Sequence, residues 1–276
     1  MSALIEIRGL EHAYRLEDGS WVPALNGIDL TIGRGTFVAL VGPNGSGKST
    51  LARHLNGLLV PQVGEVVVDS LSTAEPRNLW RVRQRVGMVF QNPDNQIVAG
   101  TVEEDVAFGP ENAALPPAEI RRRVDDALDA VGLQAYRTHP PTRLSGGQKQ
   151  LLAIAGVLAT RPACIVLDEP TSMLDPPGRQ RVLETVRRLN AEEGIALVLI
   201  THSMDEATAA SRVLVMDQGR IVLNGSPGSV FAERDQLQAI GLDVPVAVEM
   251  TQALRARGIP LPAGQLTIDE LARALC

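Results

Sequence analysis

The sequence predicts an α/β protein built on a parallel sheet, with an antiparallel β portion near its start and a small helical appendage at its end. Short, fully apolar runs alternate with amphipathic helical patterns, which is typical of parallel strands covered by helices. The opening part of the chain instead alternates single apolar and polar positions, which is typical of antiparallel strands with one covered face. The composition changes near residue 226, and two short helical patterns follow.

Local patterns define these elements in chain order. Apolar residues at 5 and 7, at 28, 30 and 32, and at 66 and 68 indicate the antiparallel portion, and apolar runs at 37–41, 86–90, 164–167, 197–200 and 213–216 are the predicted parallel strands. Residues 119–131 form an amphipathic helical pattern with Gly132 placed to cap its end. Beside its apolar face we expect two i,i+4 ion pairs, Arg121–Asp125 and Arg122–Asp126.

The last part of the chain, residues 227–276, is predicted to be the helical appendage. Helical patterns cover about 244–257 and 267–275, and Thr267 and Glu270 have the spacing of a capping box. Packing on a small core of its own and a role at an interface both explain this segment.

Charge and composition exclude several classes of protein. The chain has 26 Lys and Arg against 32 Asp and Glu, a formal net charge of −6, whereas nucleic-acid binding surfaces need clustered basic residues. No apolar run approaches the length of about 20 residues that a membrane-spanning helix needs, and no secretory signal is visible. The two cysteines, Cys164 and Cys276, are expected to be inert thiols. We therefore expect a protein inside the cell that neither crosses a bilayer nor binds nucleic acid.

A glycine-rich loop follows the apolar run at 37–41 and precedes a helical pattern. It has the form Gly42-x-x-x-x-Gly47-Lys48-Ser49, whose backbone N–H groups can surround a phosphate at a helix N-terminus. Lys48 supplies a positive charge and the Ser49 hydroxyl a ligand for Mg²⁺. Gly45 and Gly47 are expected at positions where positive φ or close approach excludes a side chain. A glycine-rich turn without a ligand is the alternative, and kinases, GTPases and motor ATPases share this motif.

Polar residues end three of the predicted parallel strands. Asp168 and Glu169 follow one strand, where Asp168 can hold Mg²⁺ and Glu169 can polarise a water molecule. His202 follows the next strand, and Gln91 follows the strand at 86–90, where its amide oxygen can reach the metal or the water. Each of these residues also has an ordinary explanation as a solvated strand end, a packing residue or a loop polar group.

A second glycine pair starts another predicted helix. Ser145 suits an N-cap, and Gly146, Gly147 and Gln148 follow it before an apolar helical face. This helix start is either an ordinary cap or a second site for an anion. Because one nucleotide has a single γ-phosphate, a second phosphate-facing element is best explained if it serves a nucleotide held by another copy.

Taken together, these residues resemble the ATP-binding cassette (ABC) ATPases, over residues 4–226. The resemblance implies a P-loop NTPase-type ABC ATPase domain, with an antiparallel β-subdomain and a helical subdomain, that binds ATP and Mg²⁺. It implies hydrolysis by Glu169, with His202 and Lys48 stabilising charge, and metal binding by Ser49, Gln91 and Asp168. It also implies nucleotide binding by Tyr14, whose ring stacks on adenine, and by Gly42, Pro43, Asn44, Gly45, Ser46, Gly47, Lys48, Ser49, Thr50, Ser145, Gly146, Gly147 and Gln148.

Within that family, the stretches at 91–112 and 167–179 and the tail resemble the ATPases of energy-coupling factor (ECF) transporters, importers of vitamins or of cobalt and nickel. The resemblance implies a second ABC ATPase subunit, a transmembrane coupling protein and a substrate-binding membrane subunit, with this chain at the cytoplasmic face of the membrane. It also implies that the tail is a dimerisation element. Homodimer and heterodimer stay open, as do another ABC transporter class and a soluble ABC ATPase outside transport.

Four acidic residues follow Gln91 closely. Asp94, Glu103, Glu104 and Asp105 suggest an acidic groove for a basic helix of the membrane subunit. A solvated acidic face is the alternative.

Overall fold

A computed structural model describes residues 3–262 and 264–275 of the chain. Its strands are β1 (Ala3–Arg15), β2 (Trp21–Gly33), β3 (Phe37–Val41), β4 (Val63–Val68), β5 (Leu71–Ser72), β6 (Val86–Val89), β7 (Cys164–Asp168), β8 (Ala196–Ile200), β9 (Arg212–Asp217) and β10 (Arg220–Gly225).

The helices follow the same chain order. They are α1 (Lys48–Leu55), α2 (Leu79–Arg85), α3 (Val102–Asn112), α4 (Pro117–Val131), α5 (Gly146–Leu158), α6 (Pro176–Glu193), α7 (Met204–Ala207), α8 (Pro227–Ala232), α9 (Arg234–Ala239), α10 (Val246–Ala256) and α11 (Ile268–Leu275). Single turns of 3₁₀ helix lie at Pro76–Asn78, Pro93–Asn95, Gln134–Tyr136 and Pro141–Arg143.

The central sheet has six strands in the order β10-β9-β3-β8-β7-β6. Strands β9, β3, β8, β7 and β6 are parallel, and β10 joins β9 as an antiparallel edge. All residues of β3, β7 and β8 are buried, because both faces of the sheet are covered. The five predicted parallel strands are thereby confirmed.

The second sheet is antiparallel, with the order β2-β1-β4-β5. The apolar positions that predicted it, Ile5, Ile7, Ile28, Leu30, Ile32, Val66 and Val68, are all buried. They pack on α1 and on one face of the central sheet, including Val38 and Leu40 of β3. The alternate residues of β3 face the opposite core, so each strand residue contributes to one of two layers.

A helical subdomain stands beside the central sheet. Helices α3, α4 and α5 pack on one another, and Val106, Leu128 and Leu151 lie in their shared core. Gly132 ends α4 in the left-handed conformation at φ +71°, as the sequence predicts. The two expected i,i+4 ion pairs are wrong. Asp125 and Asp126 instead accept from Arg137 and Arg161, which come from outside the helix.

The appendage consists of two parts with different packing. Helices α8 and α9, which the sequence patterns did not reveal, place Val230, Phe231 and Leu237 in the core of the main domain. Helices α10 and α11 share a separate small core of Ala247, Leu261 and Leu271. The predicted boundary after residue 226 therefore does not coincide with a change of core, because residues 227–244 still pack on the main domain.

The predicted capping box of α11 is present, since Thr267 and Glu270 each bond the other's backbone N–H. The thiol of Cys164 is buried within β7, and burial raises its pKa to about 12, in keeping with an inert cysteine. Cys276 lies outside the described residues. Within residues 3–262 and 264–275, every helix is too short or too polar to span a bilayer.

Candidate active site

The glycine-rich loop connects the end of β3 to the start of α1. Gly42, Gly45 and Gly47 all have positive φ, at 157°, 78° and 102°. A Cβ on Gly42 would collide with the carbonyl of Met216, and one on Gly47 with the carbonyl of Ala24. The loop therefore adopts a conformation that only glycine allows at these positions. This agrees with the expectation for Gly45 and Gly47.

Lys48 is buried at the first position of α1, over the loop. Its Nζ donates to the carbonyl oxygens of Gly42, at 2.8 Å, and Pro43, at 2.9 Å. Burial lowers the pKa of Lys48, while the nearby carboxylates of Glu169 and Asp168 act in the opposite direction. A phosphate group entering the loop offers this ammonium a charged acceptor in place of neutral carbonyls.

Ser49 and Asp168 meet across the gap between α1 and the end of β7. The Ser49 hydroxyl donates to Oδ1 of Asp168 at 3.1 Å. Burial raises the pKa of the Asp168 carboxyl, and the hydrogen bond from Ser49 opposes that shift. A hydroxyl and a carboxylate that face each other are the hard oxygen donors that Mg²⁺ prefers, so this pair fits the predicted metal.

Glu169 is the first residue after β7 and has a strained backbone. Its φ is +50°, in the left-handed region that non-glycine residues rarely adopt, and its N–H donates to the carbonyl of Ile200 at 3.1 Å. Such strain persists where the surrounding structure holds the residue in place, and it clusters at functional sites. The turn lifts the Glu169 side chain from the sheet edge toward the phosphate loop, where it lines the same cavity as Lys48.

The Glu169 carboxylate has a partner on each oxygen. Oε1 lies 2.6 Å from Nε2 of His202, which follows β8, and Oε2 accepts from Nε2 of Gln91 at 3.2 Å. The structure thus brings together the three strand ends that the sequence singled out.

Gln91 also contacts a residue that sequence reasoning missed. Its Nε2 donates to Oγ of Ser172 at 3.1 Å, and the Ser172 hydroxyl donates to the backbone carbonyl of Glu169 at 3.0 Å. The sequence carries no direct signal for Ser172, which lies three residues after Glu169. The only hint is that a short turn after β7 returns the chain to its own strand end. The Nε2 group of Gln91 therefore donates within this network, and its amide oxygen can face a metal ion or a water molecule.

A cavity of about 330 Å³ opens in front of the phosphate loop. The loop and α1 line one side through Asn44, Gly45, Gly47, Lys48, Ser49 and Thr50, and Tyr14 lines the other side with Val22, Pro23 and Ala24. The Tyr14 hydroxyl lies 3.2 Å from Oγ1 of Thr50, and His12 contacts the edge of its ring. The aromatic ring thus lies on the same cavity as the loop, which is the arrangement that the stacking role requires.

Ser145 and Gln148 form a capping box at the start of α5, confirming the predicted N-cap. The Gln148 side chain accepts from the Ser145 N–H at 2.9 Å, and the Ser145 hydroxyl accepts from the Gln148 N–H. Gly147 packs directly on Gly178 at the start of α6, where an added Cβ would lie 3.0 Å from the Gly178 Cα. The residues that line the phosphate-loop cavity do not include this helix start. One chain therefore carries two separate glycine-rich helix starts, at α1 and at α5.

Comparison with known proteins decides the family. The sequence pattern of the ABC transporter family matches residues 25–172. The energy-coupling factor transporter ATP-binding protein EcfA1 of Symbiobacterium thermophilum is 59% identical over 99% of this chain and 96% of its own. The chain belongs to the ABC transporter family of ATP-binding proteins. The EcfA1 protein of Caldanaerobacter subterraneus is 52% identical over the full length of both chains.

Solved ABC cassettes share the fold. The structure of cbiO1 from Clostridium perfringens, described as part of the ABC transporter complex cbiONQ, superposes with a TM-score of 0.78. It is 36% identical and covers 94% of this chain and all of its own. The cassette MJ0796, solved as a dimer bound to ADP and Pi, has a TM-score of 0.72 at 31% identity over 81% of this chain and 98% of its own. The ABC ATPase fold and the assignment to ECF transporter ATPases are confirmed, and the chain is an ATP-binding, ATP-hydrolysing transport subunit.

Proposed function

We propose that this chain hydrolyses ATP at the junction of the phosphate loop with β7 and β8, and that two ATPase subunits share each nucleotide. The observation that supports the hydrolytic site is the Glu169 carboxylate, which lines the cavity of the phosphate loop while contacting both His202 and Gln91. A carboxylate held in this way can accept a proton from an attacking water. Replacement of Glu169, developed in the Discussion, tests this assignment.

Each neighbouring residue has a defined task in the proposed reaction. The backbone N–H groups of residues 42–50 and the Lys48 ammonium bind the phosphates and offset their charge. His202, 2.6 Å from Glu169, stabilises charge on the transferring phosphoryl and fixes the direction of the carboxylate. Tyr14 stacks on the adenine ring at the far side of the cavity.

Ser49, Asp168 and the amide oxygen of Gln91 are the residues that would hold Mg²⁺. When bound, the ion neutralises phosphate charge. The chain's own part is to keep these oxygens together, and the 3.1 Å hydrogen bond between Ser49 and Asp168 does so across two elements.

The helix start at Ser145–Gln148 completes the site of another subunit. Two facts support this. The element lies outside the cavity of its own phosphate loop, and its exposed Gly146 is the first residue of a helix, where an anion binds favourably. The MJ0796 cassette is a dimer with ADP and Pi bound, which agrees with such sharing.

Complementation between two inactive variants tests the shared site. Lys48→Ala removes the ammonium group that binds the phosphates in one chain, and Ser145→Arg blocks the start of α5 in the other chain. In a homodimer, equal mixing of the two chains should recover about one quarter of the wild-type rate, because half of the dimers are mixed and each has one intact site. Ser145→Thr, which keeps the cap, is the control and should stay active. Full-rate hydrolysis by a preparation shown by light scattering to be monomeric would contradict the proposal.

The membrane partners are a coupling protein and a substrate-binding subunit of an ECF importer, with a vitamin or a cobalt or nickel ion as cargo. Of the four acidic residues of the expected groove, the structure removes Asp105, whereas Glu103 and Glu104 line an open cavity with Glu111 and Asp125. Asp105 is buried and accepts from the N–H groups of Val98 and Ala99, and Asp94 pairs with Lys149. Glu103 and Glu104 are likewise bonded, to Arg137 and within the cap of α3.

The open groove beside these residues is largely apolar. It lies between the central sheet and the helical subdomain, has a volume of about 320 Å³ and exposes Leu58, Val98 and Phe108. Since Phe90, which precedes Gln91, lines the same groove, a helix of the coupling protein seated there would lie next to the hydrolytic network.

Affinity purification from detergent-solubilised membranes tests the partners and the peripheral membrane location together. Tagged wild-type chain should bring down multi-span membrane proteins, and Phe108→Asp should lose them. Val222→Asp, an equally exposed apolar position on the far edge strand β10, is the matched control. Retention of the membrane proteins by Phe108→Asp would place their docking surface elsewhere.

A further inference from the structure

A buried carboxylate that no motif includes lies next to the proposed hydrolytic pair. Glu206 is in the short helix α7, and only 4% of its surface is exposed. A buried carboxylate is costly unless its oxygens are hydrogen-bonded, so its partners explain why it is tolerated.

Three side chains from three segments provide those partners. Oγ1 of Thr171 donates to Oε1 at 2.7 Å, and Oγ1 of Thr201 donates to Oε2 at 2.5 Å. The Nε atom of Arg179, on α6, lies 3.7 Å from Oε1 and offsets the charge. Hydroxyl donors to a carboxylate form short, strong hydrogen bonds, and both threonines are buried with it.

The two threonines flank the hydrolytic pair. Thr171 lies two residues after Glu169, and Thr201 immediately precedes His202. One carboxylate therefore joins the turn after β7 to the end of β8, the two segments whose side chains meet at the 2.6 Å contact of Glu169 with His202. The strained φ of +50° at Glu169 needs such support, because the backbone alone does not favour it.

We propose that Glu206 is a positioning residue for hydrolysis, which holds the turn of Glu169 and the segment of His202 in register through Thr171 and Thr201. This inference rests on the proposed function of that pair. It assigns no contact with ATP to Glu206, so the expected defect is in the chemical step and not in nucleotide binding.

Isosteric variants test the proposal with the least disturbance. Thr171→Val and Thr201→Val each remove the hydroxyl that donates to Glu206 at constant shape, and Thr201→Val also removes the acceptor of the Ser203 N–H. Each should lower kcat by about tenfold, with KM and the affinity for a fluorescent ATP analogue within about twofold of wild type. Thr185→Val is the matched control, since Thr185 is also buried but donates to the Arg181 carbonyl away from the site. It should keep wild-type kcat.

Variants of Glu206 itself show whether the carboxylate is the shared element. Glu206→Ala should lower kcat by about 10- to 100-fold. Glu206→Gln keeps one acceptor oxygen and offers an amide to the other hydroxyl, and should recover most of that loss. Adding Thr171→Val to Glu206→Ala should cause no further loss, because both changes break the same link. If Glu206→Ala does not fold, the two valine variants decide alone.

Glu169→Gln, measured in parallel, separates two kinds of failure. If Glu169→Gln hydrolyses ATP at the wild-type rate, the proposed function itself is refuted. If Glu169→Gln is inactive while the folded valine variants keep wild-type kcat, or lose affinity for ATP and not kcat, only the positioning role of Glu206 is refuted.

Discussion

Replacing Glu169 by glutamine should separate ATP binding from ATP hydrolysis. The substitution keeps the shape of the side chain and one of its two oxygens, so at most one of the contacts with His202 and Gln91 is lost. What disappears entirely is the ability of the side chain to take a proton from water. The structure therefore confines the main effect to the chemical step.

The size of the effect follows from that loss. A positioned general base contributes about 10²–10⁴ in rate, or roughly 3–5 kcal/mol of transition-state stabilisation. ATP binding should not weaken, because Glu169 places a negative charge near Lys48, in a cavity that receives an anion. Removing that charge favours the nucleotide, so we expect unchanged or tighter binding of ATP.

Phosphate release and equilibrium binding provide the assay. Glu169→Gln should hydrolyse ATP at least about 100-fold more slowly than wild type, bind a fluorescent ATP analogue at least as tightly, and accumulate as an ATP-bound dimer in size-exclusion chromatography with light scattering. Glu192→Gln, an exposed change of the same type on α6, is the control. Hydrolysis by Glu169→Gln at the wild-type rate would refute the role of this carboxylate.

Three further predictions concern the cavity and its support. Gly47→Ala should abolish binding of a fluorescent ATP analogue in a folded protein, because the new methyl group meets the Ala24 carbonyl at a φ of +102°; retained binding would contradict this. Tyr14→Ala should weaken ATP affinity by about fivefold, or about 1 kcal/mol, and Tyr14→Phe should not, if stacking is the role of the ring. Burial lowers the pKa of His54 from 6.5 to about 4, with His12 adding to the shift. Between these two pH values the imidazole is protonated in the unfolded state and neutral in the folded state. The free energy of unfolding should therefore fall by up to about 3 kcal/mol as the pH drops from 6.5 to 4, and urea titrations of His54→Leu should show a smaller fall.

The parts of the site that depend on local pattern could be predicted from the sequence. The phosphate loop is specified by glycines whose spacing is fixed by the loop's own backbone, as the φ values of Gly45 and Gly47 show. Asp168 and His202 could be placed at one edge because the carboxyl ends of parallel strands meet there. In the structure β7 and β8 are neighbours in register, with Asp168 opposite Ile200.

Contacts between distant segments could not be predicted in the same way. Nothing in the spacing of Thr171, Thr201 and Glu206 indicates that they meet, because that depends on the β7–β8 register and on the single turn of α7. The acidic residues after Gln91 illustrate the same point, because Asp105 is buried while Glu103 and Glu104 line an open cavity. Counting carboxylates does not reveal that Asp105 is turned inward to bond the backbone at Val98.

The two elements proposed to serve different nucleotides are joined within each chain by direct packing. The start of α5, which carries Ser145, touches the start of α6 where Gly147 meets Gly178. Helix α6 in turn reaches Glu206 through Arg179. In the proposed dimer, a nucleotide bound to the start of α5 would contact an element that is linked, through Gly178 and Arg179 of α6, to the support of the hydrolytic pair of the opposite site.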